Sequence, residues 1–295
     1  MILVTGASGF VGAALVKALV ASGAPVRAAL RKPPAKSQLA SFDTVIVGEL
    51  GPDTIWARAL EGVIAVVHLA GPAHAKTADA VLRRAIVDGT AALAEQAFRA
   101  GIERFVLVSS IKAAAARTCG AALSERAMPA PEDGYGRAKL EAEQAVLAHA
   151  ALSPVVVRAP LVFAPHAKGN FTHLLRLADT ILPLPLGRIE NRRSLISLAS
   201  LVEAIRVAIP NGPTGTYHVA DTPALSTSEI LTALRVGMGR RARLFYFPGL
   251  SSLAPRALTE SFEIDASAFR HAFGWRGQDS RAALIACGGA WKQSR

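Results

Sequence analysis

The sequence predicts an α/β protein, a doubly wound parallel sheet of about seven strands with a smaller C-terminal lobe. Three observations predict it. Met1–Val4 is an apolar run with no polar alternation, which reads as a strand buried on both faces. Gly6, Gly9 and Gly12 follow at once and lead into a helix-forming stretch, Ala13–Val20, which stops at Ser22-Gly23 before a second apolar run, Pro25–Leu30. Beyond that βαβ unit, apolar runs and helical stretches keep alternating to about residue 220.

Glycines between a strand and a helix point to phosphate. They permit a tight turn and let backbone approach a ligand with no Cβ in the way. The helix start offers free N–H groups and a partial positive charge to an anion. Inside a βαβ unit this combination predicts dinucleotide binding. The spacing in Thr5-Gly6-Ala7-Ser8-Gly9-Phe10-Val11-Gly12 is G-x-x-G-x-x-G, not the G-x-G-x-x-G of the standard fingerprint. The second strand ends at Arg31-Lys32, where NAD proteins usually place an acidic residue for the ribose 2′-hydroxyl. Two cations there favour a 2′-phosphate, and so NADP(H) over NAD(H).

The remaining elements follow in order. Thr44–Val47 is a third strand leading to Gly48-Glu49-Leu50, and a short helix runs over about 54–60. Gly62–Gly71 is a fourth strand, in which His68 reads as a packed strand-end residue. Ala75–Ala100 is a long helical stretch closed by Gly101, and Arg104–Ser110 is a fifth strand ending in two serines. Residues that follow such strand ends point into the ligand crevice of an open parallel sheet. Residues 111–133 read as a loop. Gly134 opens a helix to about Leu152, on which Tyr135 and Lys139, four apart, share a face. Pro154–Pro165 is a sixth strand, a helix begins at Lys168-Gly169-Asn170-Phe171, another spans Ala199–Ile209, and Thr216–Ala220 is a seventh strand. Ser226 and Glu229 form a capping box for a helix to about Val236, and Leu244–Phe247 reads as a short strand. The predicted division is 1–165 plus 196–222 for the dinucleotide-binding domain and 166–195 plus 223–295 for the smaller lobe.

Composition bounds the function classes. The chain has 295 residues, 51% of them hydrophobic, enough for a sizeable core. No stretch of 18 apolar residues is free of a break or a charge, so no membrane span is predicted. The first strand begins at Met1 and leaves no room for a signal peptide. Cys119 and Cys287 show no metal spacing, nor do the histidines, so a cytoplasmic, reduced protein without a metal is expected. The formal net charge is +11, but the basic residues are scattered and aromatics are only 6%, which argues against nucleic acid. A positive cleft also suits small polyanionic ligands.

Taken together, the glycine motif, Ser110 at the end of a fifth strand, and Tyr135-x-x-x-Lys139 resemble the extended short-chain dehydrogenases/reductases, the NAD-dependent epimerase/dehydratase family. The 25-residue step from Ser110 to Tyr135 is that of nucleotide-sugar epimerases. Val108–Lys112, Lys168–Phe171 and Pro183–Arg188 look like a UDP-glucose 4-epimerase-like bacterial subgroup, which includes 4-keto reductases of surface-polysaccharide synthesis. The resemblance implies a Rossmann-type fold. It implies a cofactor site of Gly6, Ser8, Gly9, Phe10, Val11 and Gly12 at the phosphates and of Arg31, Lys32, Glu49 and Leu50 at the adenosine. Leu69, Ala70 and Gly71 would pass under the cofactor, Tyr135 and Lys139 would stand near the nicotinamide, and Pro160 would be a further cofactor contact. It implies substrate contacts from Ser110, Lys112, Asn170, Arg193 and Arg256. The chain departs from the family pattern at Ile86, where an Asn is usual, at Ala159, Phe163 and Ala164, and at Leu161, where many relatives carry a substrate-side Asn.

The resemblance assigns Tyr135 as general acid/base, Lys139⁺ as the group that depresses its pKa and binds the nicotinamide ribose, and Ser110 as the partner of the reacting oxygen. A free Tyr titrates near 10, so about three units of depression, roughly 4 kcal/mol, would poise it near neutrality. Lys139⁺ and a cationic nicotinamide would supply that bias. The expected reaction is hydride transfer at C4 of a UDP-linked sugar, by a 4-keto-sugar reductase or a 4-epimerase. The alternative is a non-catalytic NADP(H)-binding or interaction protein of the same fold. A homodimer through helices near 85–100 and 136–150 is a further expectation from the resemblance.

Overall fold

The computed structural model describes residues 1–33, 42–72, 78–167, 169–210, 212–248 and 254–295. Its strands are β1 (Ile2–Thr5), β2 (Val26–Leu30), β3 (Asp43–Ile46), β4 (Ala65–His68), β5 (Arg104–Ser110), β6 (Val155–Ala159), β7 (Leu161–Phe163), β8 (Leu195–Ser197) and β9 (Gly215–His218). Seven of them form one sheet in the order β3-β2-β1-β4-β5-β6-β9. Every neighbouring pair is parallel. The chain runs outward from β1 to β3 and then crosses to β4 on the other side of β1. That reversal opens a crevice at the carboxyl ends of β1 and β4, where ligands of such sheets bind.

The helices are α1 (Phe10–Ala21), α2 (Ala57–Leu60), α3 (Asp79–Leu82), α4 (Gly89–Arg99), α5 (Gly134–Leu147), α6 (Asn170–Ala178), α7 (Leu198–Ala208), α8 (Thr227–Gly237), α9 (Arg256–Thr259), α10 (Ser267–Phe273) and α11 (Ser280–Gln293). They cover both faces of the sheet, and alternate strand residues feed opposite cores, as the two-residue period of a strand requires. Ile2, Val4, Val106, Val155 and Val157 pack with Leu15 and Leu19 of α1 and Leu201 and Ile205 of α7. Leu3, Val66, Phe105, Leu107 and Val156 pack with Leu93 and Ala97 of α4 and Val146 of α5. A third core, with Phe171, Leu175, Leu231, Leu234, Leu284 and Trp291, belongs to the C-terminal lobe. Among the described residues no helix is long and apolar enough to cross a membrane.

Several elements differ from expectation, each for a physical reason. The sixth apolar run is two strands: β6 stays in the main sheet, whereas β7 leaves it after Pro160 to pair with β8. Proline has no N–H to continue a ladder. Leu244–Phe247 is not a strand; Leu244 alone bridges to Leu184. Beyond that bridge the Phe245 carbonyl accepts from Gly187 N–H at 2.9 Å rather than from Leu186, so the two segments step out of register after one pair, and Phe245–Phe247 stay exposed. The long stretch before Gly101 is helical from Asp79, with its first predicted residues, 75–77, outside the described ones, and it includes a π-helical segment, Arg83–Asp88, between α3 and α4. The helix carrying Tyr135 ends at Leu147, and a separate 3₁₀ turn covers Ala150–Leu152. The capping box at Ser226 and Glu229 is formed as expected.

Candidate active site

The glycine loop joins β1 to α1 at the crevice. Gly9 caps α1 with no side-chain hydrogen bond, so the first N–H groups of the helix are left for an anion. Gly6 has φ +65°, and a Cβ there would lie 2.9 Å from the Ala70 nitrogen. A Cβ on Gly12 would lie 2.1 Å from the Gly6 carbonyl oxygen. The loop is therefore a cradle that side chains would fill, and it fits a dinucleotide. Ser8 and Gly9 are exposed on it, and Phe10 and Val11 are half-buried. Phe10 meets the His166 ring edge-on at 5.4 Å.

Thr5 and His68 fix the floor of this cradle. The Thr5 hydroxyl accepts from the Leu69 and Ala70 N–H groups, each at 3.2 Å, and lies 2.7 Å from His68 Nδ1. With two N–H groups aimed at its oxygen, the hydroxyl proton goes to Nδ1. Nε2–H is then left to donate to Thr90 Oγ1 at 3.0 Å. Burial, aided by the charge of Lys139, holds the His68 pKa down at about 3, so its ring is a neutral strut. It sets Leu69, Ala70 and Gly71 beside the loop. At the other end of the crevice Arg31 and Lys32 are exposed after β2, and Arg31 Nε lies 3.5 Å from Glu49 Oε1. Leu50 packs partly into the core beside β3, and Pro160 is buried after β6.

Ser110 ends β5, and Tyr135 and Lys139 lie on the first turns of α5. Lys139 Nζ donates to the Val108 carbonyl at 3.3 Å and stands 5.9 Å from the Tyr135 ring centre. Tyr135 packs on Leu82, Ile86, Ala138 and Ala142. Ile86, which replaces the usual Asn, thus supplies apolar wall. The protein's own groups move Tyr135 opposite to the sequence expectation. Burial, and then the charge of Asp133, push its pKa up to about 12, against the hydrogen bond with Ser110. Burial pulls Lys139 down to about 8, while Glu143 works to raise it.

The substrate-side residues are divided. Lys112 Nζ is held by Asp133 Oδ2 at 2.7 Å. Asn170 is the exposed first residue of α6, and Lys168 lies outside the described residues. Arg193 and Arg256 converge on Glu260: Arg193 Nη1 donates to its carbonyl at 3.2 Å, and Arg256 Nε lies 3.6 Å from its carboxylate. Arg117, from the loop after β5, reaches the same carboxylate at 3.4 Å. Leu161 is half-buried against the lobe core. Sequence reasoning missed Arg117, for which an irregular loop gives no signal. It also missed Asp133 and Glu143, although Glu143 sits four residues after Lys139 on the same face. Among the described residues no three His, Cys, Asp or Glu side chains cluster as metal ligands.

Comparisons with known proteins identify the family and the fold. Residues 2–220 match the model of the NAD dependent epimerase/dehydratase family. A UDP-glucose 4-epimerase of Vibrio cholerae is 33% identical over 93% of this chain and 90% of its own. Among solved structures, a UDP-N-acetylglucosamine 4-epimerase from Bacillus cereus superposes with a TM-score of 0.82 at 18% identity, over 99% of both chains. MoeE5, in complex with UDP-glucuronic acid and NAD, does so with a TM-score of 0.78 at 23% identity, again over 99% of both. These two likenesses show the fold; the family model and the Vibrio relative show more. The chain belongs to the NAD-dependent epimerase/dehydratase family.

Proposed function

We propose that the chain is an NAD(P)-dependent nucleotide-sugar oxidoreductase or epimerase that works by hydride transfer at C4 of a UDP-linked sugar, in the synthesis of surface-polysaccharide precursors. The observation that carries this reading is the meeting of Ser110, Tyr135 and Lys139 at the carboxyl edge of the sheet that also holds the glycine cradle. The 33% identity to a 4-epimerase and the likeness to a protein solved with a UDP-sugar and NAD support the substrate class.

The glycine cradle would hold a nicotinamide cofactor, which would supply the hydride exchange and, when oxidised, a positive charge favouring the Tyr135 phenolate. The Tyr135 oxygen takes the proton of the C4 hydroxyl as the carbon is oxidised and returns it on reduction. Ser110 Oγ holds the reacting oxygen, and Lys139 binds the nicotinamide ribose and favours the phenolate. Arg193, Arg256 and Arg117 offer guanidinium groups to the diphosphate. NADP(H) is placed ahead of NAD(H), because Arg31 and Lys32 oppose one carboxylate, Glu49. A homodimer through α4 and α5 completes the reading, and sedimentation equilibrium tests it.

The deciding experiment releases and identifies any bound nucleotide, titrates the protein with NADPH and NADH, and assays UDP-glucose and UDP-galactose. Retained NAD with interconversion of the two sugars identifies an epimerase. An empty protein that prefers NADPH and oxidises it with a UDP-4-keto-sugar identifies a reductase. Binding neither cofactor overturns the reading.

A further inference from the structure

Lys112 joins the two catalytic elements. It is the middle residue of a 3₁₀ turn, Ile111–Ala113, that starts directly after Ser110. Its backbone N–H donates to Ser110 Oγ at 3.3 Å. Its ammonium donates to Asp133 Oδ2 at 2.7 Å. The other Asp133 oxygen accepts the Gly136 N–H at 2.7 Å and so caps α5, two residues before Tyr135. The Lys112 carbonyl presses on the same turn: a Cβ at position 136 would lie 2.4 Å from its oxygen, so glycine is required there. A single residue thus touches the Ser110 hydroxyl, the cap of the Tyr135 helix and the residue next to Tyr135.

We propose that Lys112 is a positioning residue for the proton transfer and not a substrate group: it sets Ser110 against the N-terminus of α5 and cancels the charge of Asp133 beside Tyr135. This rests on the assignment of Tyr135 as acid/base in the proposed function. The cap creates the need. A carboxylate suits a helix N-terminus, yet this one stands near a phenol that must ionise, and like charges oppose each other. Burial alone would raise the Asp133 carboxyl. The hydrogen bonds from Lys112 and Gly136 and the charge of Lys112, with that of Arg137, hold it below the usual carboxylate range. Asp133 therefore stays charged, and Lys112 balances it.

The other charged groups around α5 are largely engaged elsewhere. Asp79 borders Gly134 at the helix start. Arg83 pairs with Glu141 and Arg84 with Asp53. Arg137 donates to the Glu132 carbonyl. Asp88 lies at the end of the π-helical segment packed on α5. On the sheet side, among the described residues, His68 is neutral, Glu143 is paired with Arg158, and Lys139 is the remaining cation.

The test compares Lys112→Met, Asp133→Asn, the double variant and Lys112→Arg with the wild type. Asn is as good a helix cap as Asp, so Asp133→Asn removes charge and keeps the cap. Two readouts are taken: the pH dependence of kcat with UDP-glucose or UDP-galactose, and the ultraviolet ionisation signal of Tyr135, from the difference between each protein and its Tyr135→Phe counterpart. Lys112→Met is expected to move both to higher pH by about one unit, and Asp133→Asn to move both to lower pH. In the double variant the Lys112→Met effect should vanish, and Lys112→Arg should restore the wild-type profile. A rise in KM for Lys112→Met with an unmoved kcat profile would overturn the proposal and make Lys112 a substrate group. Should Lys112→Met fail to fold, an unmoved Tyr135 signal in Asp133→Asn overturns it equally. Full activity in Tyr135→Phe would instead sink the acid/base assignment, while the ultraviolet signal would still report whether Lys112 acts on Tyr135.

Discussion

Glu143 and Arg158 form an ion pair closed off from water beneath Lys139, with Arg158 Nη2 2.6 Å from Glu143 Oε2 and side chains 5% and 1% exposed. Arg158 Nε reaches both carboxylate oxygens at 3.1 Å, and the Ser109 hydroxyl donates to Oε1 at 2.5 Å. Ser109 and Arg158 are partners in the β5–β6 register, so the carboxylate of α5 is bound to two adjacent strands at one level. Tyr135, Lys139 and Glu143 follow each other at four-residue steps on one helix face. The third of them anchors the first two to the sheet and places a negative charge one turn behind Lys139.

Removing one partner of such a pair leaves the other charge buried and unpaired, whereas removing both with apolar residues of similar size is far milder. Glu143→Gln should cost about 3 kcal/mol of stability, and Glu143→Met/Arg158→Met should recover most of it. Urea midpoints of the three proteins check this. Both variants should also lose the support that the Glu143 carboxylate gives to Lys139⁺.

Much of this was readable in the residue order. The glycine spacing, the serine at a strand end and the four-residue step from Tyr135 to Lys139 are local patterns, and each stands where those patterns place it. The direction of the Tyr135 pKa was not readable. It depends on Leu82 and Ile86, some fifty residues earlier, closing over the ring, and on Asp133 serving as a cap. Ion pairs across distant segments, such as Arg117 with Glu260, leave no periodic trace. The strand expected over Leu244–Phe247 failed because its fate lay with the register of a distant partner segment, which shifts at Gly187, and not with its own β propensity.

Low pH should unfold the protein partly through its buried histidines. His68 has a folded pKa near 3, below its unfolded 6.5, so the unfolded state binds the extra proton between these values. The stability it contributes is complete above about pH 6.5 and is lost as pH falls toward 3. The slope from His68 alone approaches ~1.4 kcal/mol per pH unit within that window. His218, held down at about 4 chiefly by burial, acts in the same sense. Urea melts from pH 4.5 to 7 should show a shallower decline for His68→Gln than for the wild type; equal slopes would contradict the neutral strut.

Tyr135→Phe and Lys139→Met should separate proton transfer from cofactor binding. In the proposed function the phenol meets the reacting oxygen alone, so Tyr135→Phe should lower kcat by about 10²–10⁴-fold and leave NAD(H) affinity near wild type. Lys139→Met should lower kcat and weaken the cofactor as well, because the proposed role of its ammonium covers both. Steady-state kinetics beside a fluorescence titration with NADH reads the two effects. Equal losses of cofactor affinity in both variants would contradict the division of roles.

Gly12→Ala tests the cradle. Its Cβ would lie 2.1 Å from the Gly6 carbonyl oxygen, a backbone atom that a rotamer change cannot clear. The loop must open, at an overpacking cost of about 1–3 kcal/mol. Cofactor affinity should fall by about tenfold or more, since ~1.4 kcal/mol of misplacement is a tenfold change. The same NADH titration reads it, with circular dichroism to show that the fold survives.

In the proposed function the choice of cofactor turns on Arg31 and Glu49. The guanidinium leans on the carboxylate at 3.5 Å, and both side chains are largely exposed, 65% and 75%. A surface pair of this kind is worth about 0–1 kcal/mol, so it yields to a better partner. A 2′-phosphate would draw Arg31 away but would be repelled by Glu49; a 2′-hydroxyl would use Glu49 as an acceptor. The two cofactors therefore respond oppositely to the same change. Glu49→Gln should tighten NADPH and weaken NADH, whereas Arg31→Ala should weaken NADPH by about tenfold and leave NADH nearly unchanged. Raising the salt concentration should erode the NADPH preference, because an exposed charge contact is screened within about 10 Å at 0.1 M. If NADH binds more tightly than NADPH in the wild type and Arg31→Ala changes neither, the two cations after β2 are solvated surface residues, and the carboxylate of Glu49 alone marks the ribose.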